Sequence, residues 1–239
     1  MKRISLADIL LKETKDYLFI HKPPYISTLE DRKNDISILS IARKDFPEVI
    51  VGHRLDKETS GVMVLAKNEK SYKHLTRQFE RREVYKVYHA VAEGIHNFQE
   101  DLIELPIHIL SSKGRVSINY ESGKPSATIV TTLKNFDRHT LVQCEPVTGR
   151  MHQIRVHLSR KNAPLVSDTA YGGSFLYLSS LKKKFNLKKD TDEQPLIKRV
   201  ALHAFSIGIK DMEGEPILVE ADYPKDMRAL LKQLDKNTK

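Results

Sequence analysis

The chain has 239 residues, 40% of them hydrophobic, enough to bury the core of one large domain or two small ones. Forty Lys and Arg against 31 Asp and Glu leave a net charge of +9, which favours a polyanionic partner and makes nucleic acid the leading class; the plainer alternative is a soluble protein of lysine-rich composition. The single cysteine, Cys144, excludes an internal disulfide and any Cys-x-x-Cys metal or redox pair.

At the N-terminus, Met1-Lys2-Arg3 precedes an apolar stretch, Ile4 to Leu11, that Asp8 interrupts; no small-residue cleavage site follows, so no export signal is read there. No apolar run approaches the roughly 18 residues needed to span a bilayer, and a reducing, cytoplasmic location is expected. Strand patterns occur at Tyr17 to Ile20, Val62 to Ala66, Val84 to Ala92, Ala127 to Leu133, Thr140 to Cys144 and Ala201 to Ile209; several alternate apolar with polar residues, and β-branched residues are common in them. Helices are expected at Ile36 to Arg43, Glu69 to Arg82 and Arg150 to Ser159. A last helix begins near Pro224, with Met227, Leu230, Leu231 and Leu234 at helical spacing. This pattern predicts an α+β protein on a mixed, largely antiparallel sheet. No repeat and no Gly/Ser-rich linker marks a boundary, so a single domain over 1–239 is expected. Its least core-like part is a basic surface excursion, Ser174 to Arg199, with seven Lys/Arg against three Asp/Glu. Those lysines read either as nucleic-acid contacts or as a solvated face.

Three segments carry groups suited to chemistry. In the first, Val51-Gly52-His53-Arg54-Leu55-Asp56-Lys57-Glu58-Thr59-Ser60-Gly61, charged and small residues directly precede an apolar strand, the setting in which catalytic loops are held by rigid scaffold. Asp56, between Arg54 and Lys57, is expected to stay ionised, because neighbouring cations favour the charged form. It can then serve as a nucleophile or a base, or it can hydrogen-bond its own turn together with Thr59. In the second segment, Thr148 to Leu158, helical spacing puts Met151, Ile154 and Leu158 on one stripe and His152, Arg155 and Ser159 on the next, with Thr148-Gly149 ahead of the first backbone N–H groups. Arg155 either serves a site or pairs with a structural acid, and His152 either meets a ligand or is an ordinary satisfied histidine. In the third, Tyr85 to Gly94, strand alternation sets Lys86, Tyr88 and Ala90 on one face, where Tyr88 can stack on an exposed base or pack in the sheet. Ten histidines raise the question of a metal. There is no His-Glu-x-x-His, however, and His152 and His157 would point about 140° apart on a helix. Phosphate-loop and dinucleotide glycine motifs are absent as well, so neither a metal nor a cofactor is expected.

Six ordered blocks resemble those of the RluA-type family of pseudouridine synthases: His21-Lys22-Pro23-Pro24; His53 through Gly61; Lys86-x-Tyr88 running to Gly94; Gly149-Arg150-x-His152-Gln153-Ile154-Arg155-Val156-His157; Asp168-x-x-Tyr171-Gly172; and Leu202-His203-Ala204. The resemblance implies the pseudouridine synthase fold, with a mixed, mostly antiparallel central sheet, flanking helices and a central active-site cleft, and it implies no cofactor. By matching positions, Asp56 would be the catalytic aspartate, Tyr88 the tyrosine stacked on the target base and Arg155 the basic partner of Asp56. Ile154 would pack on the other side of the base, and Arg54 would enter the space left by a flipped uridine. Arg150, His152 and Gln153, from the same block as Arg155, are carried as RNA or substrate contacts. The activity implied is isomerisation of specific uridines in ribosomal or transfer RNA, by a monomer whose partner is RNA and which needs neither membrane nor metal. Many relatives carry an N-terminal S4-type RNA-binding domain, whereas here the catalytic pattern starts within about 20 residues of Met1. Ser167 stands where the family usually has glycine, and Ile26-Ser27-Thr28 replaces a more apolar stretch. The rival readings are a non-catalytic RNA-binding protein, in which Asp56, Tyr88 and Arg155 together would have no purpose, and a hydrolase using Asp56 with His53 or His152, which lacks a nucleophile-elbow serine.

Overall fold

A computed structural model of the chain describes residues 4–30, 36–110, 114–182, 184–187 and 191–238. Met1-Lys2-Arg3 of the N-terminal stretch, and Lys183 and residues 188–190 of the basic excursion, lie outside the described residues. The backbone divides into two compact units, Met1–Tyr88 with His203–Asp222 and His89–Leu202 with Tyr223–Lys239, where the sequence alone marked no boundary.

The first unit opens with β1 (Leu10–Glu13), antiparallel to β2 (Tyr17–Lys22). Tyr17, Leu18, Phe19 and Ile20 are all buried because both faces of β2 are covered: Leu18 and Ile20 join one apolar cluster, Tyr17 and Phe19 another. Helix α1 (Ile38–Ala42) starts two residues later than the sequence suggested, since Ser37 is extended and caps it, exchanging hydrogen bonds with Ser40 in a capping box. After β3 (Ile50–Val51) comes β4 (Ser60–Ala66), buried throughout and antiparallel to β2 from Tyr17↔Ala66 to Lys22↔Gly61. Helix α2 (Glu69–Glu80), capped by Asn68, lays Leu75 with Tyr72 and Phe79 on the cluster of Tyr17, Phe19, Val62 and Val64. It stops at Arg81, and Arg82 takes a left-handed φ of 60°. Strand β5 (Tyr85–Glu93) begins in this unit and runs past Tyr88 into the second.

In the second unit, β6 (Asp101–Glu104) is followed by β7 (Ile107–Leu110) and β8 (Arg115–Ile118), which pair with each other as a separate two-stranded ribbon. Strands β9 (Ala127–Asn135) and β10 (His139–Pro146) complete the run β5-β10-β9-β6, antiparallel where β9 meets β10 and β6. Helix α3 (Gln153–Arg160) is shorter than the Arg150 to Ser159 expected from the sequence. His152 sits at φ 52°, ψ 21°, and helical hydrogen bonding does not propagate through a left-handed residue. A short α4 (Leu178–Leu181) follows.

The chain then returns to the first unit as β11 (Leu202–Lys210) and β12 (Pro216–Glu220), an antiparallel pair; β11 also runs parallel to β4, with His203 opposite Ser60 and Ala204 opposite Gly61. This parallel contact among antiparallel neighbours makes the sheet mixed. Finally, α5 (Lys225–Asn237) starts after Pro224 as expected and buries Met227, Leu230 and Leu234 against Val91, Phe136, Val166, Leu176, Ile197 and Ala201 of the second unit. Its first turn is tied down by Arg199, fully buried, which donates to both carboxylate oxygens of Asp226 and to the carbonyls of Val200 and Leu202. All six predicted strands form. The strands the sequence missed are short ones, β1, β3, β6, β7, β8 and β12, of two to five residues, too brief for two-residue periodicity to show, and the four-residue α4 was missed as well.

Candidate active site

In the first unit, Asp56 lies on the loop between β3 and β4, and the loop is fastened at three points. Thr28 Oγ1 accepts from the Leu55 N–H at 3.3 Å and bonds the Leu55 carbonyl at 3.2 Å, while Leu55 itself is buried in the core. On the other side of Asp56, the Lys57 carbonyl accepts from the Tyr25 N–H at 2.8 Å and from Lys22 Nζ at 3.1 Å. Lys22 is wholly buried, and the same ammonium donates to the carbonyls of Pro23 and Ile26, so its charge is held by three carbonyl dipoles. The Thr59 N–H donates to the Asp56 carbonyl at 3.0 Å and closes the turn. What remains directed by this scaffold is the Asp56 side chain.

Downstream of the loop, the backbone is locked against β11. Gly61 has φ 125°, and a Cβ there would lie 2.1 Å from the Ala204 carbonyl oxygen. Beside it, Ser60 Oγ meets His203 Nδ1 at 2.9 Å, and His203 Nε2 donates to the Ala221 carbonyl. Three sequence blocks, the one beginning at His21, the one ending at Gly61 and the one at Leu202, thus converge on the strand end next to Asp56.

Tyr88, on β5, packs partly buried against the cluster that holds Leu55. Burial, and then the Asp56 carboxylate, push its phenol well above the ordinary tyrosine range, so the structure brings Asp56 and Tyr88 together and keeps Tyr88 neutral. Lys86, two residues earlier, is half-buried, which lowers its ammonium pKa. His53 has a structural task. Strand β3 ends at Val51, and the next N–H on that edge of β4, from Val64, donates to His53 Nε2 at 3.1 Å while the ring stacks on Phe79. Burial and the Lys86 cation hold the imidazole down at about 4, the neutral form an acceptor must have. Arg54, by contrast, is exposed.

In the second unit, the block around α3 is built about Arg155. The guanidinium is buried and donates through Nε and Nη2 to the two carboxylate oxygens of Asp168, both at 2.7 Å, a bidentate pair. Asp168 is an acidic partner of Arg155 that the sequence did not name. Ile154 is buried as the stripe predicted, with Leu158, and Met151 is partly so. Gln153 turns inward: its amide donates to the Ala127 carbonyl and Thr128 Oγ1, and its oxygen accepts from Thr148 Oγ1 and the Arg150 N–H. Its place in this geometry is therefore to brace the turn before α3, not to reach outward. Arg150 is exposed, with Nε toward the Pro125 carbonyl at 3.4 Å, and His152 bonds the Tyr171 hydroxyl through Nδ1 at 2.9 Å. Among the described residues, no group of three His, Cys, Asp or Glu side chains could hold a metal ion, and no helix is long and apolar enough to cross a membrane.

Residues 16–160 match the family model for RNA pseudouridylate synthase. The chain belongs to this family. The pseudouridylate synthase domain so defined is similar to several curated proteins. Over 190 residues it is 36% identical to ribosomal large subunit pseudouridine synthase D of Neisseria meningitidis, covering 79% of this chain and 49% of that one; the chain thus spans about half that relative's length. An uncharacterised RNA pseudouridine synthase of Zymomonas mobilis is 32% identical over 92% of this chain and 95% of its own. The dual-specificity RNA pseudouridine synthase RluA of Vibrio parahaemolyticus is 34% identical over 66% of this chain and 67% of its own, which places the synthase domain in the RluA type. Among solved structures, human RNA pseudouridylate synthase domain containing 1 superposes with a TM-score of 0.70 at 27% identity, covering 94% of this chain and 87% of that one. The domain-containing-4 protein gives 0.77 at 22% identity, over 96% and 94%, a likeness of fold.

Four residues that organise this synthase domain had no role assigned from sequence: Lys22, Thr28, Asp168 and Tyr171. Three of them stand in the family blocks. A usable signal existed only for Lys22, a charged residue closing an apolar run and followed by two prolines, a place where a lysine must find acceptors or leave the core. Thr28 belongs to the stretch that departs from the family pattern, and its hydroxyl is what fastens Leu55.

Proposed function

We propose that this chain isomerises uridine to pseudouridine in RNA, with Asp56 as the residue that acts on the target nucleotide. The observation that carries the reading is the Asp56 side chain beside the neutral, half-buried Tyr88, on a loop whose backbone is fastened at Leu55, Lys57 and Gly61. A carboxylate held this way meets the reacting group without first reorganising. Tyr88 then stacks on the flipped base, Ile154 offers an apolar contact to it, and Arg155, oriented by Asp168, carries the positive charge. Arg54, exposed at the head of the loop, fills the vacated stack, while Arg150 and His152 contact RNA and Gln153 shapes the turn that presents them.

In the reaction the N1–C1′ bond breaks, the base turns, C5 bonds to C1′, and the proton displaced from C5 is balanced by one gained at N1, so composition is unchanged. Asp56 starts it by attacking the sugar or the base, or by taking a proton from the sugar. Base extraction costs a few kcal/mol, least in single-stranded loops. The names of the relatives point to ribosomal RNA as the first substrate to test, with transfer RNA as the other.

The test uses bulk cellular RNA from a strain lacking this chain, tritiated at uridine C5, since bond formation at C5 releases the label. Wild type should release tritium and Asp56→Asn should release none. Absence of release by the wild type, or equal release by both, would sink the assignment, and mapping the uridines left unmodified in the deletion strain identifies the RNA.

A further inference from the structure

The second unit contains a contact that the proposed reaction does not call on. Tyr171 lies on the turn after Asp168, with its N–H donating to the Asp168 carbonyl at 3.0 Å. Its ring lies against Arg155, with the guanidinium carbon 5.0 Å from the ring centroid, a cation–π distance, so Arg155 is gripped edgewise by Asp168 and across its face by Tyr171. The Tyr171 carbonyl accepts from Ser159 Oγ at 2.6 Å, which ties the turn to the far end of α3. The hydroxyl makes two more bonds: it accepts from the Val116 N–H on β8 at 2.9 Å and lies 2.9 Å from His152 Nδ1. His152 is the residue held in the left-handed conformation that starts α3.

The ribbon β7–β8 also packs toward α3 through apolar side chains, with Ile107 and Val116 in one cluster with Val156 and Met151. A single phenol therefore links three parts: the ribbon through the Val116 backbone, the strained N-terminus of α3 through His152, and the guanidinium of Arg155 through its ring. Val116 donates to the phenol oxygen, and the same hydroxyl shares a proton with His152 Nδ1, so both bonds are met at once only when ribbon and helix hold this spacing. Non-glycine left-handed residues persist where their surroundings over-determine them, and Tyr171 is one of the contacts that hold His152, by its hydroxyl and by an edge-on ring contact.

We propose that Tyr171 is a positioning residue that couples the seating of the β7–β8 ribbon to the orientation of Arg155 and His152. The inference deepens the reading above, since it rests on Arg155 serving the reaction. Its two halves separate by substitution. Tyr171→Phe keeps the ring over Arg155 and cuts the ribbon and His152 loose, so the RNA concentration giving half-maximal tritium release should rise about fivefold or more. Tyr171→Leu removes the ring as well, and the maximal rate should fall at least tenfold. A merely structural tyrosine would lower the amount of folded protein and leave both constants of that fraction alone, so rates are normalised to folded protein by thermal melting and circular dichroism.

The coupling is read by a double-mutant cycle. Arg155→Ala should slow the reaction by itself, and adding Tyr171→Leu to it should slow the reaction little further, because the ring then has no guanidinium to orient. Additive losses overturn the coupling, as do constants for Tyr171→Phe and Tyr171→Leu equal to those of the wild type. An Arg155→Ala variant as fast as the wild type defeats the role of Arg155 and this inference together, whereas a slow Arg155→Ala beside a fast Tyr171→Leu defeats this inference alone.

Discussion

The ammonium of Lys22 donates to the carbonyl of Lys57 at 3.1 Å, so a fully buried cation at the end of β2 holds the residue next to Asp56. Its two other bonds, to Pro23 and Ile26, fold the following loop back on the same point. Lys22 touches the backbone, so its influence on Asp56 passes through the loop.

Replacing it shows how much the loop depends on it. Lys22→Met fills similar volume and leaves three inward carbonyls without this donor, which should cost about 2–4 kcal/mol of stability. Urea unfolding of the two proteins gives the difference, and tritium release from folded Lys22→Met should fall as the loop loosens. Wild-type stability in Lys22→Met would show that the three bonds only offset the burial of the charge.

Gly61 is the second fixed point. With φ at 125° and the Ala204 carbonyl oxygen 2.1 Å from a built Cβ, Gly61→Ala must push β11 away from β4 or fail to fold. A loss of about 3 kcal/mol or more is expected, at the upper end for overpacking. The check is the urea midpoint, or soluble yield if the variant does not accumulate.

Ser167 occupies a left-handed conformation, φ 64°, which explains a family preference for glycine there. The serine is retained with compensation: Oγ donates to the Ile197 carbonyl at 2.7 Å in the core. Ser167→Gly relieves strain and loses that bond, two effects of about 1 kcal/mol each and opposite sign, so stability should hardly change. Ser167→Ala keeps the strain and loses the bond, and should be about 1–2 kcal/mol less stable. Equal melting temperatures for the Gly and Ala variants would contradict this account.

Two histidines set an acid limit. Burial holds His89 down to about 4, and burial with the Lys86 cation does the same for His53, against 6.5 when unfolded. Between pH 6.5 and about 4 the unfolded chain takes up protons that the folded chain refuses, so the contribution is intact above pH 6.5 and is lost as pH falls through that window. Each proton is worth about 1.4 kcal/mol per pH unit. Unfolding free energies measured from pH 7 to pH 5 should therefore fall, and His53→Gln, whose amide oxygen can still accept from Val64, should flatten the slope by about one proton.

What the sequence determined by itself was local. The apolar runs of β2 and β4, the strand patterns of β5, β9, β10 and β11, the stripe of α2 and of α5, and the polar run around Asp56 ahead of a buried strand are all written in neighbouring residues, because strand and helix patterns show over a few positions. The blocks around Asp56, Tyr88 and Arg155 were legible for the same reason, being contiguous. The tertiary structure decided the partners. Asp168 stands 13 residues after Arg155, and Lys22 is 35 residues from Lys57, so nothing in either local pattern named the pair. Only the fold showed that His53 serves the β4 edge, that Gln153 faces inward, and that His152 breaks the helix expected from Arg150. The division into two units was invisible too, because Tyr85–Glu93 passes from one to the other within a single strand and β11 returns to the first after more than a hundred residues. Periodicity reports which face of an element is buried; what it is buried against, and which buried polar group meets which, is settled when distant segments are brought together and every donor has to find an acceptor.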